Sequence, residues 1–350
     1  MLKIKISIGW NFPFKSESLS IYNFTNTKDN IYNNKIYYIN SEIEEPDYWF
    51  VLENTHSTKI EKSKVNKENI IFLGSDTRYE PSYYLLDSKQ KFLSQFQTVY
   101  SHTAVNLKNS VNEPSFCNWK LRGDPFEINF KDSDITFYEN FYPKKTNLIS
   151  VYCTGKQINE LHKVRLDFVK KLKKEFGDDL HWYGFENKTN DKIEGIGSYK
   201  YHLVLENNLQ PNTMTEKLFD SYLGNSYPIY SGATNIGDYF SNNTFKKINI
   251  HDFNGSIDSI KECISNNYYE TNYGDLLKAR DVVLEKFNLI KRIDRIVEEN
   301  LKDKKNNYSK SEIFIYPKYF YEGSTKFSRL IFSLNKKLKN FSTYLEKFYS

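Results

Sequence analysis

Residues 198–240, SYKYHLVLENNLQPNTMTEKLFDSYLGNSYPIYSGATNIGDYF, decide the fold of this chain. The apolar run 201–206 predicts a strand, and residues 215–223 carry apolar side chains at helical spacing. Gly224 is a typical residue after a helix end, and residues 227–230 predict a second strand. A strand, a helix and a strand in this order predict a parallel βαβ unit.

Polar side chains cluster where the first strand of this unit ends and its helix begins. Glu206 and Asn207 close the strand, and Glu216 and Lys217 open the helix. Open α/β sheets bind ligands at the carboxyl ends of their strands, and helix N-termini favour anions. Because a lysine in a first helical turn opposes the helix dipole, Lys217 indicates an anionic ligand. The stretch therefore predicts a phosphate-containing ligand.

Two residues near this edge have competing interpretations. Thr213 and Glu216 fit a capping box, in which Thr213 is the N-cap. Glu216 could instead accept hydrogen bonds from ribose hydroxyls, and the order of the motif does not separate these roles. Arg165, in the predicted helix 159–176, could clamp phosphate oxygens bidentately. For a lone arginine on a helix, however, a solvated charge is the more common role.

Length and composition exclude several classes of protein. A chain of 350 residues with 39% hydrophobic residues suits two globular domains. The cysteines and histidines have neither disulfide-framework nor metal-ligand spacing. No dinucleotide fingerprint or P-loop is present. The net charge of +5 is matched by the excess of basic residues after residue 323, which argues against a general nucleic-acid binder.

The predicted elements divide the chain into three parts. Residues 1–145 alternate strands and helices, and residues 146–310 repeat this pattern, with a last long helix expected at 275–299. Residues 311–350 form a tail, in which 326–349 predicts a basic amphipathic helix. Such a helix suits an anionic membrane surface, and packing on the body is the alternative.

No targeting segment is expected. The N-terminal residues MLKIKISIGW alternate like a strand and resemble neither a signal peptide nor an anchor. No run approaches the ~20 apolar residues of a membrane-spanning helix. The expected location is the cytoplasm, with peripheral attachment to the inner face of the cell membrane through the tail.

The central stretch resembles a known family. The segment 199–207, then Glu216-Lys217 after eight residues, then Pro228-Ile-Tyr230 is similar to the signature of the α-1,3/4-fucosyltransferases, glycosyltransferase family 10. The resemblance extends from about residue 148 to 290. Residues 47–52 and 91–96 resemble, more loosely, the branch of the family that builds bacterial surface polysaccharides.

The resemblance implies a GT-B fold, with two α/β Rossmann-like domains and an active site in the cleft between them. The second domain would hold a nucleotide sugar, typically GDP-fucose, and the first domain a glycan acceptor or a lipid-linked oligosaccharide. Transfer in the family inverts the anomeric centre, usually without an obligatory metal or other cofactor.

Donor-binding roles are carried over by position. Arg165 and Lys217 would neutralise the diphosphate, and Glu216 would bind ribose. Asn207 would contact the nucleotide sugar, and Glu206 would position Asn207. Thr213 stands where the family usually has tyrosine.

A general base is expected in the first domain, where the family has a glutamate. The distance from Glu80 to Phe92 fits the bacterial branch, so Glu80 is the predicted base and Asp76 the second choice.

The sequence thus predicts transfer of a deoxyhexose, most simply L-fucose, to a bacterial glycan in lipopolysaccharide O-antigen or capsule synthesis. Two alternatives stay open. One is the same fold with a different nucleotide-sugar donor, and the other is a glycan- or nucleotide-binding module that does not catalyse transfer.

Overall fold

The computed structural model describes most of the chain, in segments. The described residues are 1–9, 22–27, 29–56, 59–74, 85–103, 105, 107–117, 119–122, 135–157, 160–185, 187, 189, 191–303 and 309–322. The predicted bases Glu80 and Asp76 lie outside these residues, as does the predicted tail helix 326–349.

Strands and helices are numbered in chain order. The strands are β1 (Leu2–Ile8), β2 (Ile31–Tyr32), β3 (Lys35–Ile39), β4 (Tyr48–Leu52), β5 (Glu61–Val65), β6 (Ile70–Leu73), β7 (Thr98–Ser101), β8 (Ser110–Asn112), β9 (Asn147–Tyr152), β10 (Leu180–Tyr183), β11 (Tyr199–Leu205), β12 (Tyr227–Ser231), β13 (Lys246–Lys247) and β14 (Ser311–Ile315). The helices are α1 (Tyr22–Thr25), α2 (Asp87–Leu93), α3 (Ile135–Asn140), α4 (Glu160–Phe176), α5 (Glu216–Leu223), α6 (Phe253–Ser265), α7 (Tyr268–Thr271), α8 (Tyr273–Lys286), α9 (Leu289–Asp303) and α10 (Lys318–Glu322).

The first sheet has the order β2-β3-β1-β4-β6-β7-β8, and its pairs are parallel except for β2 with β3. Its central strands are apolar on both faces, as expected of a sheet covered on both sides. The apolar side of α9 packs on one face through Leu289, Ile293 and Val297. β14 pairs with β5 beside this domain, and α10 packs on α2.

The second sheet is entirely parallel, in the order β10-β9-β11-β12-β13. Helices α4 and α6 pack on one face, and α5 and α8 pack on the other. After β9 the chain continues to β10 at one edge of the sheet, and after β11 it continues to β12 on the opposite side. The carboxyl ends of β9 and β11 therefore form the switch point at which such sheets bind ligands.

This arrangement confirms the predicted α/β fold with two Rossmann-like domains. The predicted helix 275–299 is wrong, because the chain forms α8 and α9 with a break between them. At the break, the side chain of Asn288 accepts the backbone N–H groups of Ile290 and Lys291 and so caps α9. The break also directs α9 onto the first sheet, whereas residues up to 310 were expected in the second domain.

The carboxyl edges of the two sheets face each other. The side-chain amides of Asn112, at the end of β8, and Asn212, in the loop after β11, lie 3.0 Å apart. On α9, Arg292 donates to the carbonyl oxygen of Pro114 at 2.8 Å and lies 3.1 Å from the carboxylate of Glu113. A cleft between the two domains is therefore lined by the loops that follow the parallel strands.

Candidate active site

Glu206 joins the end of β11 to the start of α5. Its side chain is fully buried, and it accepts hydrogen bonds from the backbone N–H of Thr215 at 2.8 Å and from the Thr215 hydroxyl at 2.7 Å. The Lys217 ammonium group lies 3.1 Å from Oε2 of the same carboxylate, the oxygen that also accepts the Thr215 hydroxyl. Glu206 therefore supports the α5 N-terminus directly, and the structure shows no hydrogen bond from it to Asn207 among the described residues.

The N-terminus of α5 differs from the predicted capping box. The N-cap is Thr215, whose hydroxyl oxygen accepts the backbone N–H of Lys217, and the helix begins at Glu216. The prediction of Thr213 as N-cap is therefore wrong. The Glu206 carboxylate accepts the backbone N–H of Thr215 and so makes Thr215 the cap, two residues after the predicted Thr213. The local motif around Thr213 does not show this contact with Glu206.

The two charged residues of the first helical turn compensate each other. Lys217 lies 3.8 Å from the carboxylate of Glu216. Burial lowers the pKa of Lys217, but Glu206 and Glu216 more than offset burial and leave that pKa raised. Burial likewise raises the pKa of Glu216, but the Lys217 and Lys120 charges outweigh it, so that pKa lies well below its usual range. Lys217 is therefore cationic, with two carboxylates as resident partners.

Arg165 is a cation of this edge whose charge no described carboxylate balances. It lies on α4 with 6% of its surface exposed, and no carboxylate lies within ion-pairing distance in the described part of the chain. Its Nε atom is buried without a hydrogen-bond partner there. A buried, unpaired charge is costly unless a ligand compensates it. The solvated-charge interpretation of Arg165 is therefore wrong.

Two further basic residues surround Arg165, and the sequence analysis did not identify them. His162 precedes Arg165 by three residues and lies on the same face of α4. Burial, followed by the charges of Arg165 and Lys217, lowers the pKa of His162, and Lys156 contributes in the same direction. The four side chains are therefore within electrostatic range of one another. The i, i+3 spacing of His162 and Arg165 was the available signal.

Two polar side chains at the same edge also have buried atoms without partners. The Oδ1 atom of Asn207 and the Oγ1 atom of Thr213 make no hydrogen bond to described residues. Buried polar atoms are almost always paired, so a ligand that supplies hydrogen-bond donors or acceptors here would satisfy these two atoms. The edge therefore combines positive charge with free hydrogen-bonding groups, as a phosphorylated and hydroxylated ligand requires.

The described segments contain neither a metal-binding cluster nor a membrane-spanning helix. There, no group of three His, Cys, Asp or Glu side chains is arranged to hold a metal ion. None of the helices in these segments is both long enough and apolar enough to cross a lipid bilayer.

The first sheet contributes polar residues on the opposite side of the cleft. Glu53 follows β4, is buried, has a left-handed backbone (φ +61°) and pairs with Lys318 of α10. His102 follows β7, and its Nδ1 lies 2.8 Å from the hydroxyl oxygen of Ser115. Strand β6 lies between β4 and β7, and Gly74 follows it. The segment that contains the predicted bases comes directly after Gly74 in the sequence.

Comparison with known proteins identifies relatives along most of the chain. The chain is 24% identical over 315 residues to the 4-galactosyl-N-acetylglucosaminide 3-alpha-L-fucosyltransferase 9 of Mus musculus, covering 82% of this chain and 84% of that protein. This chain is a relative of the α-1,3-fucosyltransferases. The family-level resemblance predicted from its central stretch is thereby confirmed. A shorter match, 34% identical over 82 residues, relates it to an alpha-(1,3)-fucosyltransferase of Helicobacter pylori, covering 23% of this chain and 16% of that protein.

Two solved alpha1,3-fucosyltransferase structures are similar to this chain over most of its length. An alpha1,3-fucosyltransferase crystal structure matches 88% of this chain and 91% of its own at 17% identity, with a TM-score of 0.48. An alpha1,3-fucosyltransferase with GDP matches 81% of this chain and 91% of its own at 16% identity, with a TM-score of 0.47. No family model matches the chain.

The burial of His102 predicts that the free energy of unfolding depends on pH. Burial lowers the pKa of His102 to about 4, against a partly opposing effect of Glu53. Because the unfolded chain binds this proton near pH 6.5, His102 stabilises the fold above that pH, and this contribution is lost as the pH falls towards 4. Between pH 7 and pH 5 the loss is on the order of 2 kcal/mol.

Urea unfolding of wild type and His102→Asn at pH 7 and pH 5 measures this contribution. Asparagine can keep a hydrogen bond to Ser115 but does not titrate, so the variant should lose less stability between the two pH values. His251→Asn, at an exposed position, is the matched control and should follow the wild type. Equal pH dependence of His102→Asn and wild type would contradict the prediction.

Proposed function

We propose that this protein is a glycosyltransferase that transfers L-fucose from GDP-fucose to a glycan acceptor, with inversion at the anomeric carbon. The relationship to α-1,3-fucosyltransferases supports the reaction class. The observation that carries the donor site is the buried, unpaired Arg165 beside Lys217 at the sheet switch point.

The diphosphate of the donor fits the positive cluster on α4 and α5. The guanidinium of Arg165 supplies a planar pair of N–H donors that matches phosphate oxygens. Lys217 adds a second positive charge, and the α5 N-terminus adds a favourable dipole. As the bond from fucose to the diphosphate breaks, negative charge grows on the leaving group, and these fixed groups would stabilise it. They would take the place of a metal ion, and we propose a reaction without an obligatory metal.

The nucleoside and the sugar would extend from the cluster along α5 and the loop before it. Glu216 is ionised and can accept hydrogen bonds from ribose hydroxyls. The free Oδ1 of Asn207 and the free hydroxyl oxygen of Thr213 lie in the same loop and would contact the nucleotide sugar. Glu206 would act indirectly, because its carboxylate is fully engaged with Thr215 and Lys217.

The acceptor would lie on the first domain, across the cleft. In our proposal Glu80 removes the proton from the attacking acceptor hydroxyl, and Asp76 is the second candidate. The segment that carries both residues starts after Gly74, at the carboxyl end of the central strand β6. The acceptor we propose is a bacterial surface glycan, such as lipopolysaccharide O-antigen or capsule, or its lipid-linked oligosaccharide precursor.

Replacing Arg165 by an uncharged residue tests the proposed donor site. Arg165→Met should weaken GDP binding by roughly ten- to a hundredfold, because a charge-assisted contact is worth about 1.5–3 kcal/mol. Calorimetry with GDP measures the effect, and Lys163→Met, an exposed change on the same helix, is the matched control. Wild-type protein that shows no saturable GDP binding would reject the proposed donor. Equal GDP affinity of Arg165→Met and wild type would reject the role of Arg165.

Replacing the proposed base Glu80 distinguishes the rate of fucose transfer from the affinity for the donor. Glu80→Gln should lower the rate of fucose transfer by about a hundred- to ten-thousandfold while GDP-fucose affinity is unchanged, because only the proton acceptor is lost. Asp76→Asn serves as the comparison. If Asp76→Asn is inactive and Glu80→Gln retains full activity, the base is Asp76.

The basic tail predicts attachment to an anionic membrane from the cytoplasmic side. Liposome flotation with vesicles containing about one-third phosphatidylserine should capture the full chain and leave a version that ends at Gly323 in solution, since each basic residue near such a surface contributes about 1 kcal/mol. Neutral vesicles are the control. Flotation of both versions, or of neither, would reject a tail-mediated attachment.

A further inference from the structure

The segment that connects the two domains runs along the first turns of α5. Residues 113–117 and 119–122 of this segment are described, and we call them the strap. On the first domain, the backbone N–H of Phe116 donates to the carbonyl oxygen of Gly74 at 2.8 Å. On the second domain, the thiol of Cys117 lies 4.0 Å from the carbonyl oxygen of Met214. The backbone N–H of Lys120 donates to Oδ1 of Asp220 at 2.7 Å.

These contacts bring the strap past Glu216. Met214 precedes α5, and Asp220 lies one helical turn after Glu216, so Glu216 and Asp220 share a face of the helix. A segment that touches Met214 and Asp220 in succession must therefore pass beside Glu216. The effect of the Lys120 charge on the pKa of Glu216 agrees with this path.

The strap is firmly held at this position. Asp220 is fully buried, and its second oxygen lies 2.5 Å from the ammonium group of Lys192. Leu121 is also fully buried, in the core that includes α5 and α8. Because Lys120 is anchored through its backbone, the position of its side chain does not depend on a contact of its own ammonium group.

That ammonium group is available to a ligand. Lys120 is partly exposed, and in the described part of the chain its Nζ atom has neither a hydrogen bond nor a carboxylate within ion-pairing distance. Lys217 contacts both Glu206 and Glu216, whereas Lys120 belongs to the strap and acts on Glu216 through its charge. Glu216 is thus flanked by one lysine with resident partners and one lysine without them.

We propose that Lys120 is a further donor-binding residue, which binds the nucleoside portion of the donor beside Glu216. The inference rests on the proposed function, in which Arg165 and Lys217 hold the diphosphate and Glu216 holds the ribose. The base follows the ribose on the side away from the phosphates. A lysine offers three N–H donors and no acceptor, so it requires acceptor atoms. Guanine provides such atoms at O6 and N7, and ribose provides its hydroxyl oxygens.

A contact between Lys120 and the nucleoside would also connect the strap to the bound donor. The strap is bonded to the first sheet at Gly74, next to the segment of the predicted base, and to α5 at Asp220. A nucleotide bound by both Glu216 and Lys120 would touch the second domain and the connecting segment at once.

Binding of guanosine, GMP and GDP to wild type, Lys120→Met and Arg165→Met tests the proposal. Guanosine is titrated by NMR, and the nucleotides are titrated by calorimetry. Lys120→Met should weaken binding of all three ligands by a similar factor of about ten, because it contacts the part that they share. Arg165→Met should weaken GDP binding far more than guanosine binding. The methionine variant keeps the backbone bond to Asp220, and Lys108→Met, at an exposed position, is the matched control.

The outcomes separate this inference from the proposed function. If wild type binds GDP and Lys120→Met binds all three ligands equally well, Lys120 only neutralises Glu216 and the inference is wrong. A loss confined to GDP would make Lys120 a phosphate contact and would also overturn it. If wild-type protein binds none of the ligands, the proposed donor itself is wrong.

Discussion

The buried carboxylate of Glu206 is the constraint on which this edge of the molecule depends. It ends the central strand β11, and it binds the backbone N–H and hydroxyl of Thr215 and the ammonium group of Lys217. A buried carboxylate without these partners would be strongly unfavourable, so strand end, helix cap and lysine are fixed as one unit. Gly232 packs against the same unit, because a Cβ there would come within 2.2 Å of the Tyr230 hydroxyl oxygen and within 2.6 Å of the Glu206 side chain.

Around this unit, the sheet order determines where an anion can bind. The chain leaves β9 and β11 in opposite directions, so α4 and α5 diverge on either side of the switch point. Arg165 comes from one helix and Lys217 from the other. Lys217 has Glu206 and Glu216 as ion-pairing partners, whereas Arg165 has no carboxylate partner within the described residues and so contributes an unbalanced positive charge at this edge. A ligand with two phosphates would complete the charge balance.

The first domain depends on segments that are remote in the sequence. Helix α9 covers one face of its sheet, and Lys318 of α10 pairs with Glu53 at the edge that faces the cleft. Through these contacts the chain crosses between the domains more than once. The strap and the Asn288 break are the crossing points, and the strap brings Lys120 to Glu216.

The sequence by itself determined the βαβ unit, the two α/β domains and the family, because apolar periodicity and residue spacing are local properties. It also placed Glu206, Asn207, Glu216 and Lys217 at one edge, since parallel strands bring their carboxyl ends together, whereas Arg165 was assigned to the donor site through the family resemblance. Only the tertiary structure decided that Thr215 is the cap, that α9 packs on the first sheet and that Arg165 is buried with no ion-pairing partner among the described residues. Each of these depends on contacts between residues from different elements, such as Glu206 with Thr215, and no local pattern encodes them.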